Sequence, residues 1–158
     1  PGGGLEIGTL GLDRINKSFK QAKIMCLSNP CTFKINETVF GMTSNDTLFH
    51  LSMEQTNEFL PPGSRLKRIA EHVIKQRSYY PLFPAPANLP INLDLKKMDK
   101  MRLPCQPDIL ILPSKLATFA AAVSNTVIVN PGYLSRGTTG GTYAILHINP
   151  VNRDSLDN

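Results

Sequence analysis

The sequence predicts a mixed α/β (α+β) fold, a β-sheet of sandwich type with helical cover, and three observations lead to it. Pro107-Asp108-Ile109-Leu110-Ile111-Leu112 and Val127-Ile128-Val129-Asn130 are short, apolar, β-branched runs. Each ends in a loop of small or polar residues, as buried strands do. After Pro61-Pro62-Gly63, the residues Leu66, Ile69, Ala70, Val73 and Ile74 recur at helical spacing, while Arg65, Lys67, Arg68, Glu71 and Lys75 take the opposite side. Thr32-Phe33-Lys34-Ile35, the turn Asn36-Glu37 and Thr38-Val39-Phe40 read as a hairpin.

The elements follow in chain order. Pro1-Gly2-Gly3-Gly4 opens a flexible lead-in over 1–11. The apolar run from Ile24 to Leu27 stops at Asn29-Pro30. Beyond the hairpin, Thr43 or Ser44 is expected to cap a short helix through Leu51, and Ser64 to cap the amphipathic helix. The proline-rich stretch from Pro81 to Pro107 excludes long regular elements there. Strands near Asp108–Leu112, Val127–Asn130 and Tyr143–Ile148 are expected to form the sheet, and 151–158 a polar tail. The Pro1 start is expected to mark a piece of a longer protein.

Composition bounds the function classes. A chain of 158 residues can form one domain, burying about 70% of its unfolded surface. No apolar run approaches the ~20 residues a membrane span needs. Cys26, Cys31 and Cys105 are odd in number and lack metal-site spacing, so ordinary reduced thiols are expected. The histidines His50, His72 and His147 form no His-any-His pair. His72 is placed on the exposed helix face and His147 half-buried in the last strand. Arg136-Gly137-Thr138-Thr139-Gly140-Gly141-Thr142 lacks the Gly-Lys-Ser/Thr ending of a P-loop and reads as a glycine turn. The net charge of +5 is carried partly by Arg65-Leu66-Lys67-Arg68 and by Lys96, Lys97, Lys100 and Arg102. Scattered charge of this kind predicts weak, sequence-independent, salt-sensitive contact with DNA.

Five motifs occur in order: Phe40-Gly41-Met42-Thr43-Ser44-Asn45-Asp46-Thr47-Leu48-Phe49-His50-Leu51, Gln76-Arg77-Ser78-Tyr79-Tyr80-Pro81-Leu82-Phe83-Pro84, Pro107-Asp108-Ile109-Leu110-Ile111-Leu112-Pro113-Ser114, Val129-Asn130-Pro131-Gly132 and Gly140-Gly141-Thr142-Tyr143-Ala144. Together they resemble the B subunits of DNA polymerase α–primase, over the C-terminal half of an inactivated, calcineurin-like phosphoesterase domain. The resemblance covers about 12–150. It implies part of a metallophosphoesterase-like β-sandwich. In active phosphoesterases the loop after the first run carries Gly-His-any-His, whose imidazoles hold catalytic metal. Here that loop reads Pro113-Ser114-Lys115-Leu116, so Ser114 and Leu116 are degenerate ligand positions, and Gly41 is a third.

The resemblance therefore implies a nuclear, non-catalytic accessory subunit with no cofactor, acting in the initiation of DNA replication and primer synthesis. Its partner would be the C-terminal zinc region of the polymerase α catalytic subunit, and through it primase. The alternatives are an active metallophosphoesterase whose ligands lie in another part of the protein, and an accessory subunit of polymerase δ or ε. Tyr79, Tyr80 and Phe83, interleaved with prolines after a helix, are candidate partner contacts, with packing on their own domain as the alternative.

Overall fold

A computed structural model describes residues 25–56, 64–89, 91 and 93–150. The expected lead-in over 1–11 and the polar tail over 151–158 lie outside them. The elements are β1 (Cys31–Ile35), β2 (Thr38–Met42), α1 (Thr47–Met53), α2 (Arg65–Lys75), a 3₁₀ helix (Leu95–Met101), β3 (Ile109–Ile111), β4 (Phe119–Val123), β5 (Thr126–Asn130) and the short pair β6 (Ser135–Arg136) and β7 (Thr139–Gly140). The fold is mixed α/β, as the sequence predicts.

One five-stranded sheet has the order β1-β2-β3-β5-β4. β2, β3 and β5 run parallel, and β1 and β4 close the two sides antiparallel. The turns explain both antiparallel pairs. Asn36 takes φ 52° between β1 and β2, and Ser124 and Asn125 take φ 48° and 64° between β4 and β5. Positive φ at both central residues, as at Ser124-Asn125, or at the first alone, as at Asn36, marks the two kinds of turn whose twist suits a two-residue hairpin.

Side chains alternate across the sheet. Gly41, Leu110 and Ile128 are aligned across β2, β3 and β5. Leu110 and Ile128 pack with Leu48 of α1 and Ile69, Ala70, Val73 and Ile74 of α2 in the core cluster. Full burial of a side chain such as Ile69 or Leu110 stabilises by about 1.5–3 kcal/mol. Phe40, Ile109 and Val127 belong to the other face. There Phe33 stacks on Phe40 with ring centroids 5.3 Å apart, but Val127 remains 42% exposed.

α2 forms where its pattern places it. The Ser64 hydroxyl accepts from Lys67 N, and Ile69, Ala70, Val73 and Ile74 are buried. α1 differs from expectation. Its cap is Asp46, not Thr43 or Ser44, and it runs on to Met53. The Thr43 hydroxyl is engaged elsewhere, donating to Asn29 Oδ1 and accepting from Asn45 N.

Two further differences concern strands. Tyr143–Ile148 is not a strand: it pairs with nothing among the described residues. Its Tyr143, Ile145 and Ile148 are 81%, 68% and 53% exposed. His147 is therefore exposed rather than half-buried. Conversely, Phe119-Ala120-Ala121-Ala122-Val123 forms β4, although alanine is a poor strand former. Its pairing with β5 from Phe119↔Asn130 to Val123↔Thr126 supplies what propensity does not.

Candidate functional site

Three parallel strands deliver their C-terminal ends to one edge of the sheet, where the loops after β2, β3 and β5 meet. This is the edge at which the phosphoesterase resemblance places a metal. Side chains from two of these loops tie it together.

The loop after β3 is held by Asn130, the last residue of β5 and 1% exposed. Its Oδ1 accepts from Ser114 N and Gly132 N, each at 2.9 Å. Its Nδ2 donates to the carbonyls of Leu116 at 3.3 Å and Ala117 at 3.1 Å. One buried amide thus fills both acceptor and both donor positions with backbone partners. Ser114 is fully buried, and its hydroxyl accepts from Leu116 N at 3.2 Å. Leu116 packs against the core cluster.

Asp46 joins the second set of loops. Its Oδ1 caps α1 by accepting from Phe49 N at 3.0 Å. Oδ2 accepts from Lys115 N at 2.9 Å and from the Tyr133 hydroxyl at 2.7 Å. Burial pushes the Tyr133 phenol far above its ordinary range, and the hydrogen bond and negative charge of Asp46 push it further. Lys115 Nζ lies 3.4 Å from the centroid of the Phe49 ring, a cation–π contact. A cavity of about 290 Å³ opens here, lined by Asp46, His50, Lys115 and Tyr133 among others.

The structure separates the three degenerate positions. Ser114 and Leu116 share the β3–β4 loop, but Gly41 does not reach it. Gly41 lies opposite Leu110 within the sheet, where a Cβ would meet Tyr79 Oη at 2.7 Å and Leu110 Cδ1 at 3.0 Å. Close approach of Tyr79 is the physical demand for glycine there. Among the described residues no three His, Cys, Asp or Glu side chains converge as metal ligands would.

The aromatic candidates also divide. Tyr79 and Tyr80 are each 2% exposed, so the structure corrects their assignment as surface contacts. The Tyr79 hydroxyl donates to Cys31 O at 2.7 Å and bonds the Thr32 hydroxyl at 2.6 Å. The Tyr80 hydroxyl bonds His50 Nδ1 at 2.9 Å. Both rings therefore have an apolar site and a hydrogen-bond partner inside the domain. Phe83 is 78% exposed.

His50 carries a pH dependence. Burial lowers its pKa, Lys115 lowers it further, and Asp46 opposes them. The unfolded chain, with an ordinary histidine near pKa 6.5, therefore takes up a proton before the folded one does. Stability is full above about pH 6.5 and declines as pH falls from there toward the lowered folded value. Melting curves between about pH 7.5 and 5.5 should show the decline, and His50→Gln should flatten it. An unchanged slope in His50→Gln would assign the decline to other groups.

The fold is thus a mixed sheet with helical cover whose loop edge is tied by a buried amide, Asn130, and a carboxylate, Asp46. The chain belongs to the DNA polymerase alpha/epsilon B-subunit family, whose model matches residues 9–121. It is 42% identical over 130 residues to the DNA polymerase alpha B subunit of Schizosaccharomyces pombe, covering 80% of this chain and 23% of that protein. The corresponding proteins of Mus musculus and Saccharomyces cerevisiae are 36% identical over 126 residues and 33% over 150. These cover 80% and 75% of this chain and 21% of each relative. The chain thus spans about a fifth of the length of the relatives it matches.

Asp46, Asn130 and Tyr133 are not singled out by sequence pattern. Asp46 stands among three rival caps, Ser44, Asn45 and Thr47. Asn130 carries the better signal, as an amide ending an apolar strand before Pro131-Gly132. An uncharged polar side chain at such a place must find partners if buried.

Proposed function

We propose that this chain is part of a non-catalytic accessory subunit of the DNA polymerase alpha complex, acting in the nucleus in primer synthesis. It would bind the C-terminal zinc region of the catalytic subunit and reach primase through it. The observation that carries the reading is the closed β3–β4 loop in a member of the B-subunit family. Ser114 and Leu116 stand at the expected ligand positions, and neither carries an imidazole or carboxylate. Asn130 holds their backbone inward. A loop fixed by one satisfied buried amide suits a scaffold, whose task is to keep its shape for a partner.

The chain would be the C-terminal part of a phosphoesterase-like domain, over about 12–150. The sheet face at Val127, exposed beside buried Phe40 and Ile109, and the unpaired Tyr143–Ile148 segment are where the rest of the domain would pack. Obligate subunit interfaces are large and apolar, commonly above ~2,000 Å². Phe83 is the residue proposed for the partner surface.

The test is co-purification of the full-length protein with the C-terminal region of the polymerase alpha catalytic subunit. Stable complex formation is expected. Phe83→Ala should weaken it while leaving the melting temperature within about 2 °C, as for a surface substitution. Preferential capture by the catalytic subunit of polymerase epsilon would favour the other branch of the family. Manganese-stimulated cleavage of a phosphodiester, abolished by Ser114→Ala, would overturn the non-catalytic reading.

A further inference from the structure

The sequence presents the cations of 65–77 and 96–102 as two separate clusters, but the fold brings their ends together. After α2, Arg77 takes φ 50° and turns the chain. Tyr79 N then donates to Met101 O at 2.7 Å, and Leu103 N donates to Arg77 O at 2.9 Å. Ser78 and Arg102 stand opposite each other in an antiparallel bridge. Because the flanking residues make the hydrogen bonds, this is the close kind of pair, with Cα atoms about 4.5 Å apart and side chains on one side. Met101 and Leu103 are buried on the other side. Lys100 and Arg102 are exposed on either side of Met101, and Arg77, also exposed, is joined to this segment through its carbonyl bond to Leu103 N.

The cations at this bridge are Arg77, Lys100 and Arg102, with Asp99 beside the last two and Lys75, Lys96 and Lys97 nearby in the chain. Lys75 is paired with Glu71 at 3.1 Å and Lys97 with Asp94 at 3.2 Å. Arg77, Lys96, Lys100 and Arg102 are exposed and make no salt bridge among the described residues. We infer that this group of cations binds the phosphate backbone of a nucleic acid. An acidic protein partner fits less well, because protein interfaces need a buried apolar centre. Leu27, 51% exposed, Pro30 and Pro104 border Lys100 and Arg102, an apolar margin beside the cations rather than a buried centre. A phosphate backbone requires only closely placed cations. The group would be present whether or not the chain serves as an accessory subunit.

The experiment measures fluorescence anisotropy of labelled oligothymidine and of a duplex with the full-length protein, across about 50–200 mM salt. The triple variant Arg77→Glu/Lys100→Glu/Arg102→Glu should bind about tenfold more weakly or worse, and the salt slope should fall by about 2. Melting should move little, since all three side chains are exposed. Arg102→Glu alone should weaken binding several-fold, whereas Arg136→Glu, an equal charge change at the far β6 strand, should not. Equal losses in Arg102→Glu and Arg136→Glu would reduce the effect to net charge and overturn the site. Undetectable binding at low salt, or an unweakened triple variant, would overturn it as well. Displacement by poly-glutamate as readily as by oligothymidine of equal charge would overturn the nucleic-acid assignment in favour of an acidic protein.

Discussion

Replacing Asn130 by alanine is expected to lower stability by about 3 kcal/mol, which in a protein of this size is a fall of roughly 6–12 °C in melting temperature. Asn130 is 1% exposed and serves four backbone groups. Truncation leaves the N–H of Ser114 and the carbonyls it serves without partners, at about 1–3 kcal/mol for each group that water cannot reach. Relaxation of the loop offsets part of that sum. Asn130→Asp separates the contributions. The carboxylate keeps both acceptor bonds but offers the carbonyls of Leu116 and Ala117 a negative oxygen instead of a donor. It should therefore be no more stable than the alanine variant, despite matching the native shape. Thermal melts of both variants decide the matter. A loss under about 1 kcal/mol in both, the level of an ordinary surface substitution, would mean that the β3–β4 loop holds itself without Asn130.

Elements governed by local pattern were legible in the sequence. α2 combines a hydroxyl cap with an apolar stripe, and the hairpin combines alternation with a turn residue that tolerates positive φ. Both lie where those signals place them. Asn36 at φ 52° is the clearest case, since its side chain is among the few that accept that region. Elements governed by distant pairing were misread. β4 is rich in alanine, and only the neighbouring β5 makes it a strand. Tyr143–Ile148 has the composition of a strand, yet no described strand lies beside it. Strand propensity reports fitness for a pleated, half-buried surface, and it says nothing of whether that surface is present.

At the candidate site the same division holds. That the β3–β4 loop lacks imidazoles is read directly from Ser114 and Leu116. What replaces them is a set of contacts between Asn130, Asp46 and three loops remote from one another in the chain, such as Asp46 with Tyr133. Side-chain hydrogen bonds of this range have no periodicity to betray them. Tyr79 and Tyr80 illustrate the opposite error. Two aromatic hydroxyls beside a proline resemble surface anchors, but partners for both lie within the domain, at Cys31 and at His50.

Gly41 offers the sharpest separation between a lost ligand and a packing requirement. A side chain there meets the Tyr79 hydroxyl at 2.7 Å and Leu110 at 3.0 Å. Both neighbours are fixed: Tyr79 by its bonds to Cys31 and Thr32, and Leu110 by full burial in the core. Overpacking of this kind costs about 1–3 kcal/mol for a small addition, so Gly41→Ala should destabilise by about 2 kcal/mol and Gly41→Val by more. The clash is chiefly with one oxygen atom, and that makes it testable by a double-mutant cycle. Tyr79→Phe removes the oxygen and costs stability alone, because the bonds to Cys31 and Thr32 are lost. In combination with Gly41→Ala it should recover about 1 kcal/mol or more relative to the sum of the single variants. Strict additivity would mean that Leu110, not Tyr79, enforces the glycine. If Gly41→Ala were neutral, the position would be free to accept a side chain, and the close packing of Tyr79 would not explain why glycine stands there.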